Sequence, residues 1–173
     1  MEQERIKKTL MELIENIKEK PGRANAVFRA DTQWVEKLRC SAQIREFPTM
    51  TLDEPPGFGG EDAGYNPVEL ILAALGTCQE IVYVAYAAVL GIPLKSVKIN
   101  VKGYMDLKGL LSMDDSVPPG YKEIQYEAQV ESSADKETIR KLVKIVETRC
   151  PVLDTLSRSI SVKGHVCLNG ENL

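Results

Sequence analysis

Residues 66–91 read NPVELILAALGTCQEIVYVAYAAVLG, and the fold turns on this stretch. It opens as a helix should: Asn66 suits the N-cap, Pro67 the first helical position, and Glu69 the third position of a capping box. Gly91 suits the end. Between them lie about 24 residues, or about 36 Å of helix. The helix is apolar almost all the way round, so it must be surrounded by protein. Gly76, Gln79, Glu80 and Gly91 interrupt it, leaving apolar pieces too short to span a bilayer, so no membrane role is expected. One small domain rarely encloses so long an apolar helix, and the pattern therefore predicts a dimer.

The rest of the chain fits around this helix. With 173 residues, 27% of them charged, and a net charge of −3, the protein has the size of one domain, or of one domain plus an arm. Slight acidity and the lack of a basic–aromatic run argue against nucleic-acid binding. Residues 3–20 read as an amphipathic helix with Ile6, Leu10, Leu13, Ile14 and Ile17 on one stripe. Pro21-Gly22 ends it, defining an arm over residues 1–22 and a domain over residues 23–173. The N-terminus is charged throughout and unlike a signal peptide, so a cytoplasmic location with reduced cysteines is expected.

Imperfect alternation over Ala26–Val35 and Leu38–Phe47 suggests a hairpin. Asp53–Pro67, rich in proline, glycine and acids, is a loop. Strands are expected within Ser96–Leu107 and Lys122–Val130, with a loop over Lys108–Gly120. An amphipathic helix ends at Cys150-Pro151, a short second helical turn follows, and Ser159–Leu168 closes as a strand. This order predicts an α+β fold with antiparallel sheets.

Four cysteines are present, at 40, 78, 150 and 167, and one histidine, His165. None makes a zinc-like cluster, so no metal site is expected. The acidic pairs Asp53-Glu54 and Glu61-Asp62 lack calcium-loop spacing and read as solvated charge. Cys78 is open to two readings. Its apolar neighbours favour a small buried hydrophobe whose thiol is inert, whereas Gly76, Thr77 and Gln79 make a small, polar patch where something approaches closely. Cys150 is equally open: it packs a helix joint, or it is a thiolate favoured by a helix N-terminus and by Arg149. Cys40 and Cys167 sit in strand patterns and read as packing residues, and His165 reads as a surface or structural residue.

GYNPVELILAALGTCQE at residues 64–80, followed by TRCPVLDTL at residues 148–156, resembles the OsmC/Ohr family of thiol-dependent peroxidases and their relatives. The resemblance covers about residues 24–168, including the loop DEPPGFGGEDAGYNP. It implies an OsmC-like fold: an intertwined homodimer with two long apolar helices at its centre, antiparallel sheets outside, and sites at the subunit interface. It implies that Cys78 is the peroxidatic cysteine and Cys150 the resolving one. The substrate is then an organic hydroperoxide and the reductant a cellular dithiol, with no metal or bound cofactor. Ohr-type members place a glutamate directly after the Asn-Pro, holding an arginine from an early strand over the thiolate. Here Val68 takes that position and Glu69 comes one residue, about 100° of helix, later. Glu36 falls where the arginine would be. Arg39, ahead of Arg45, is the candidate replacement, with Glu69 as the accompanying acid. These departures align the chain with the broader OsmC-like branch, and they leave a non-catalytic small-molecule-binding or redox-sensing dimer as the alternative function.

Overall fold

The computed structural model describes residues 2–173; residue 1, the first of the expected arm, lies outside them. Helix α1 (Glu2–Glu19) is followed by three short strands, β1 (Asp31–Glu36), β2 (Arg39–Gln43) and β3 (Met50–Leu52). Then come the long helix α2 (Pro67–Leu90), strand β4 (Ser96–Met105), the one-turn helix α3 (Leu107–Leu110) and strand β5 (Tyr121–Glu131). Helices α4 (Lys136–Arg149) and α5 (Pro151–Ser157) precede a terminal hairpin, β6 (Cys167–Leu168) and β7 (Glu171–Asn172). All three sheets are antiparallel, ordered β1-β2-β3, β4-β5 and β6-β7.

The ends of α2 follow from its sequence. Asn66 Oδ1 accepts from the Val68 N–H at 2.9 Å, and Gly91 adopts the left-handed conformation at φ 67°, which suits glycine. The reciprocal half of the capping box, Glu69 accepting from the Asn66 backbone N–H, does not form, and the Asn66 side-chain amide donates to Glu54 Oε2 at 2.7 Å. One stripe of α2, comprising Leu75, Gly76, Gln79, Val82, Tyr83, Ala87 and Ala88, is buried. Gly76 allows β4 to approach: a Cβ there would sit 3.3 Å from Val101 Cγ2.

The core lies between α2, α4 and the β4–β5 ribbon. Leu142, Val146 and Cys150 are at most 1% exposed and meet Val82, Tyr83 and Ala87. Strand β4 alternates without a break, turning Val97, Ile99 and Val101 inward. Asp135 caps α4 by accepting from the N–H groups of Glu137 and Thr138. Helix α1 docks on α2, where Ile6 and Leu10 are half-buried, while Leu13 and Ile14 stay exposed.

Part of the long helix stays open within one chain: Ile81 is 68% exposed, and Ile71, Val84 and Leu90 are also exposed. Helix α1 lies on the Ile81 side, where a pocket separates Ile6 and Leu10 from Ile81 and Val84. Two expectations change. All six residues of β1 are exposed, against the half-buried alternation expected of a hairpin strand, because no helix covers the first sheet. The strand expected over Ser159–Leu168 forms only at Cys167–Leu168. Of the rest, Val166 O accepts from the Leu173 N–H beside β7, and residues 159–165 take no strand pairing within one chain.

Candidate active site

Cys78 and Cys150 are 72 residues apart in sequence, and their sulfurs stand 3.4 Å apart. The fold makes this meeting in two moves. Cys78 lies a turn after Leu75 and a turn before Val82 on the packed side of α2. Cys150 occupies the break between α4 and α5, where a following proline disfavours helical backbone at the residue before it. Its ψ of 113° turns the chain. Its N–H still donates to Val146 O, closing α4, while its carbonyl accepts from the Asp154 N–H, opening α5.

The start of α5 points amide groups at both sulfurs. The Leu153 N–H donates to Cys150 Sγ at 3.5 Å, and the Val152 N–H faces Cys78. Both cysteines are free thiols. A disulfide needs an S–S distance of about 2.05 Å, so joining them requires a closure of roughly 1.4 Å. Cys150 is wholly buried and Cys78 half-buried, which leaves Cys78 the reachable one. Burial pushes the Cys78 thiol above its ordinary range, the hydrogen bond and charge of Cys150 push it the same way, and the Val152 N–H opposes them. A cleft of about 260 Å³ opens between α2, β5 and α5, with Leu75, Ile124, Leu153 and Leu156 on its apolar side and Lys122 and Glu123 on its polar side.

The activating pair expected at Arg39 and Glu69 is not brought to the sulfurs within one chain. Arg39 sits on β2 and pairs with Glu36 Oε1 at 2.9 Å and Glu61 Oε2 at 2.7 Å. Glu69 is exposed, and its charge, after burial, helps raise the Tyr121 phenol. The first sheet has no helix of its own chain to lean on, and Arg39 is engaged there by Glu36 and Glu61. Cys40 is half-buried opposite Trp34. Cys167 is exposed, 3.6 Å from His165 Nε2 in the terminal tail.

Two residues were undervalued by the sequence. Asp53, read as a solvated acid, is 3% exposed. It accepts from the backbone N–H groups of Glu54, Glu61 and Ala63, which shapes the loop before α2 and lowers its carboxyl below the usual range. Gln79, one residue past Cys78, is 1% exposed, with both amide atoms unpartnered. Its sequence signal was its place with Gly76 and Thr77 in a small, polar patch of an apolar helix. Among the described residues, no cluster of three or more histidine, cysteine, aspartate or glutamate side chains is placed to hold a metal.

Residues 59–164 match the family model described as OsmC-like protein. A hydroperoxide reductase from Mycoplasma genitalium is 31% identical over 117 residues, spanning 68% of this chain and 78% of that protein. Among solved structures, an OsmC-like protein from Mycoplasma pneumoniae superposes with a TM-score of 0.66 at 21% identity, over 77% of this chain and 89% of that one. An organic hydroperoxide resistance protein OsmC from Legionella pneumophila gives a TM-score of 0.59 at 18% identity, over 76% and 91%. At those identities the two structures speak for the fold.

Proposed function

The chain belongs to the family of OsmC-like proteins, and on that premise we propose that it reduces organic hydroperoxides with Cys78 and Cys150 as a two-thiol couple. The observation that carries this reading is the 3.4 Å separation of two sulfurs drawn from distant parts of the chain. The relative from Mycoplasma genitalium is named a hydroperoxide reductase, which supports the same substrate class.

In the proposed cycle, the Cys78 thiolate attacks the terminal oxygen of the hydroperoxide. The O–O bond breaks, the alkoxide takes a proton and leaves as an alcohol, and Cys78 becomes a sulfenic acid. Cys150 then attacks that sulfur, the S–O bond breaks, and water leaves as the disulfide forms. An external dithiol reduces the disulfide, which suits a reducing cytoplasm. The cycle uses no metal or bound cofactor. Of the two thiols only Cys78 has a partly open surface, so Cys78 attacks first.

A homodimer belongs to this proposal. The open face of α2 and the uncovered sheet, with Trp34, Val35 and Phe47 exposed, are apolar surfaces that a second copy would cover. Because Cys78 is pushed up within one chain, it needs a cation to react near neutral pH. Arg39, acting across that interface, is the candidate.

The test is consumption of cumene hydroperoxide in the presence of dithiothreitol. Cys78→Ser abolishes turnover, and Cys150→Ser, assayed without dithiothreitol, consumes one equivalent per chain and then stops. Turnover retained by Cys78→Ser would overturn the reading. The raised Cys78 thiol favours the alternative, a non-catalytic small-molecule-binding or redox-sensing dimer. That alternative predicts Cys78 alkylation with a midpoint at or above about pH 9 in the full-length protein, whereas a reactive thiolate titrates lower.

A further inference from the structure

Gln79 is an anomaly in the core. It is 1% exposed, and neither its amide oxygen nor its amide nitrogen has a hydrogen-bond partner among the described residues. Burying an unpaired amide costs stability that an apolar side chain of the same length would not cost. Its stripe of α2, with Leu75, Val82 and Tyr83, is the one that packs toward α4, and the core there contains Leu142, Val146 and Cys150. The amide is therefore enclosed in the same core as the wholly buried Cys150. That sulfur receives one long N–H contact, from Leu153 at 3.5 Å. When Cys150 attacks, it carries negative charge inside an apolar core, where one long contact solvates a thiolate poorly.

We propose that the Gln79 amide donates a hydrogen bond to the Cys150 sulfur as that sulfur becomes a thiolate, and thereby controls the closing of the Cys78–Cys150 couple. The proposal rests on the two-thiol reading above. In closing, the Cys150 sulfur forms the S–S bond and the S–O bond of the Cys78 sulfenic acid breaks. The departing hydroxide combines with the proton released by Cys150 to give water; the sulfenic sulfur is reduced as Cys150 is oxidised. Gln79 undergoes no covalent change. The Tyr126 phenol lies against the Gln79 amide, short of hydrogen-bond geometry, and its hydroxyl meets Glu147 Oε1 at 3.5 Å. The titratable and charged groups around this core are Cys78, Tyr83 and Tyr86 on α2, Tyr126 on β5, Glu147 and Arg149 on α4, and Asp154 on α5, itself paired with Arg158.

The test uses full-length reduced protein pulsed with one equivalent of cumene hydroperoxide, following sulfenic acid by dimedone trapping and closure by loss of free thiol. Removing one hydrogen bond to a charged group makes Gln79→Met, or Gln79→Leu as a second variant, close about tenfold more slowly, with the midpoint of the pH profile raised by about one unit. Sulfenic acid formation stays within about twofold and Tm rises, because the unpaired amide is gone. Closure within about twofold of wild type, or slower closure with an unmoved midpoint, overturns the proposal. Diamide, a diazene that oxidises two thiols to a disulfide, gives a peroxide-free arm that also requires Cys150 to attack an adduct on Cys78. If peroxide yields no sulfenic acid yet Gln79→Met slows diamide closure and shifts its midpoint, the peroxidase reading fails and the role of Gln79 stands. If diamide closure is unaffected, the role of Gln79 fails.

Discussion

The body of the molecule and its first sheet are built on opposite terms. In the body, α2, α4 and the β4–β5 ribbon enclose Leu142, Val146 and Cys150 almost completely. In the first sheet, every residue of β1 is exposed, and Trp34 stands 67% open to solvent. The body closes on itself and holds both sulfurs; the sheet closes on nothing in its own chain and carries Arg39. The chain thus brings two thiols together by itself and leaves Arg39 on a sheet that its own helices do not cover.

The sharpest way to break this contrast is to weaken each region in turn. Leu142→Ala removes a wholly buried side chain from the layer that places Cys150, so it should cost about 2–5 kcal/mol in urea unfolding and loosen the thiol pair. If it costs no more than a substitution in the first sheet, the contrast is false. Next in size is Ile81→Asp, which places a charge on the open face of α2. It should convert a dimer to a monomer by light scattering while the body stays folded; an unchanged mass would remove that face from the interface.

Smaller effects sharpen the picture. The backbone N–H groups of Ala63, Glu54 and Glu61 hold the Asp53 carboxyl below its ordinary range, against burial. A carboxyl lowered in the folded state contributes stability that is fully present above its unfolded value, about 3.9, and is lost as pH falls through the lower folded value. Asp53→Asn should therefore lower Tm near neutral pH and flatten the acid limb of the Tm–pH curve. Smallest in stability is Arg39→Ala, whose pairs with Glu36 and Glu61 are partly exposed and worth under about 1 kcal/mol. Its larger effect should be on reactivity, moving Cys78 alkylation to higher pH. An unmoved midpoint would take Arg39 out of the site.

Much of the architecture was legible because it depends on local rules. Asn66, Pro67 and Gly91 bound α2 by chain chemistry alone, and the alternation of Val97, Ile99 and Val101 marks β4 without reference to any partner. Legibility failed where the outcome depends on what lies opposite. Nothing local separates β1 from a covered strand. The segment before Cys167 carries a strand pattern, but a strand also needs an edge to pair with. Asp53 looked like one more loop acid until three backbone N–H groups converged on it.

The sequence by itself determined where the helices start and stop, that α2 is too apolar to stand in water, and that one cysteine lies mid-helix and another just before a proline. Local backbone and side-chain chemistry set those features. Only the tertiary structure decided that the two sulfurs lie 3.4 Å apart, that Gln79 is enclosed without a partner, and that Arg39 is held by Glu36 and Glu61. Those are meetings between residues distant in sequence, and they are fixed by how helices and sheet pack around a shared core.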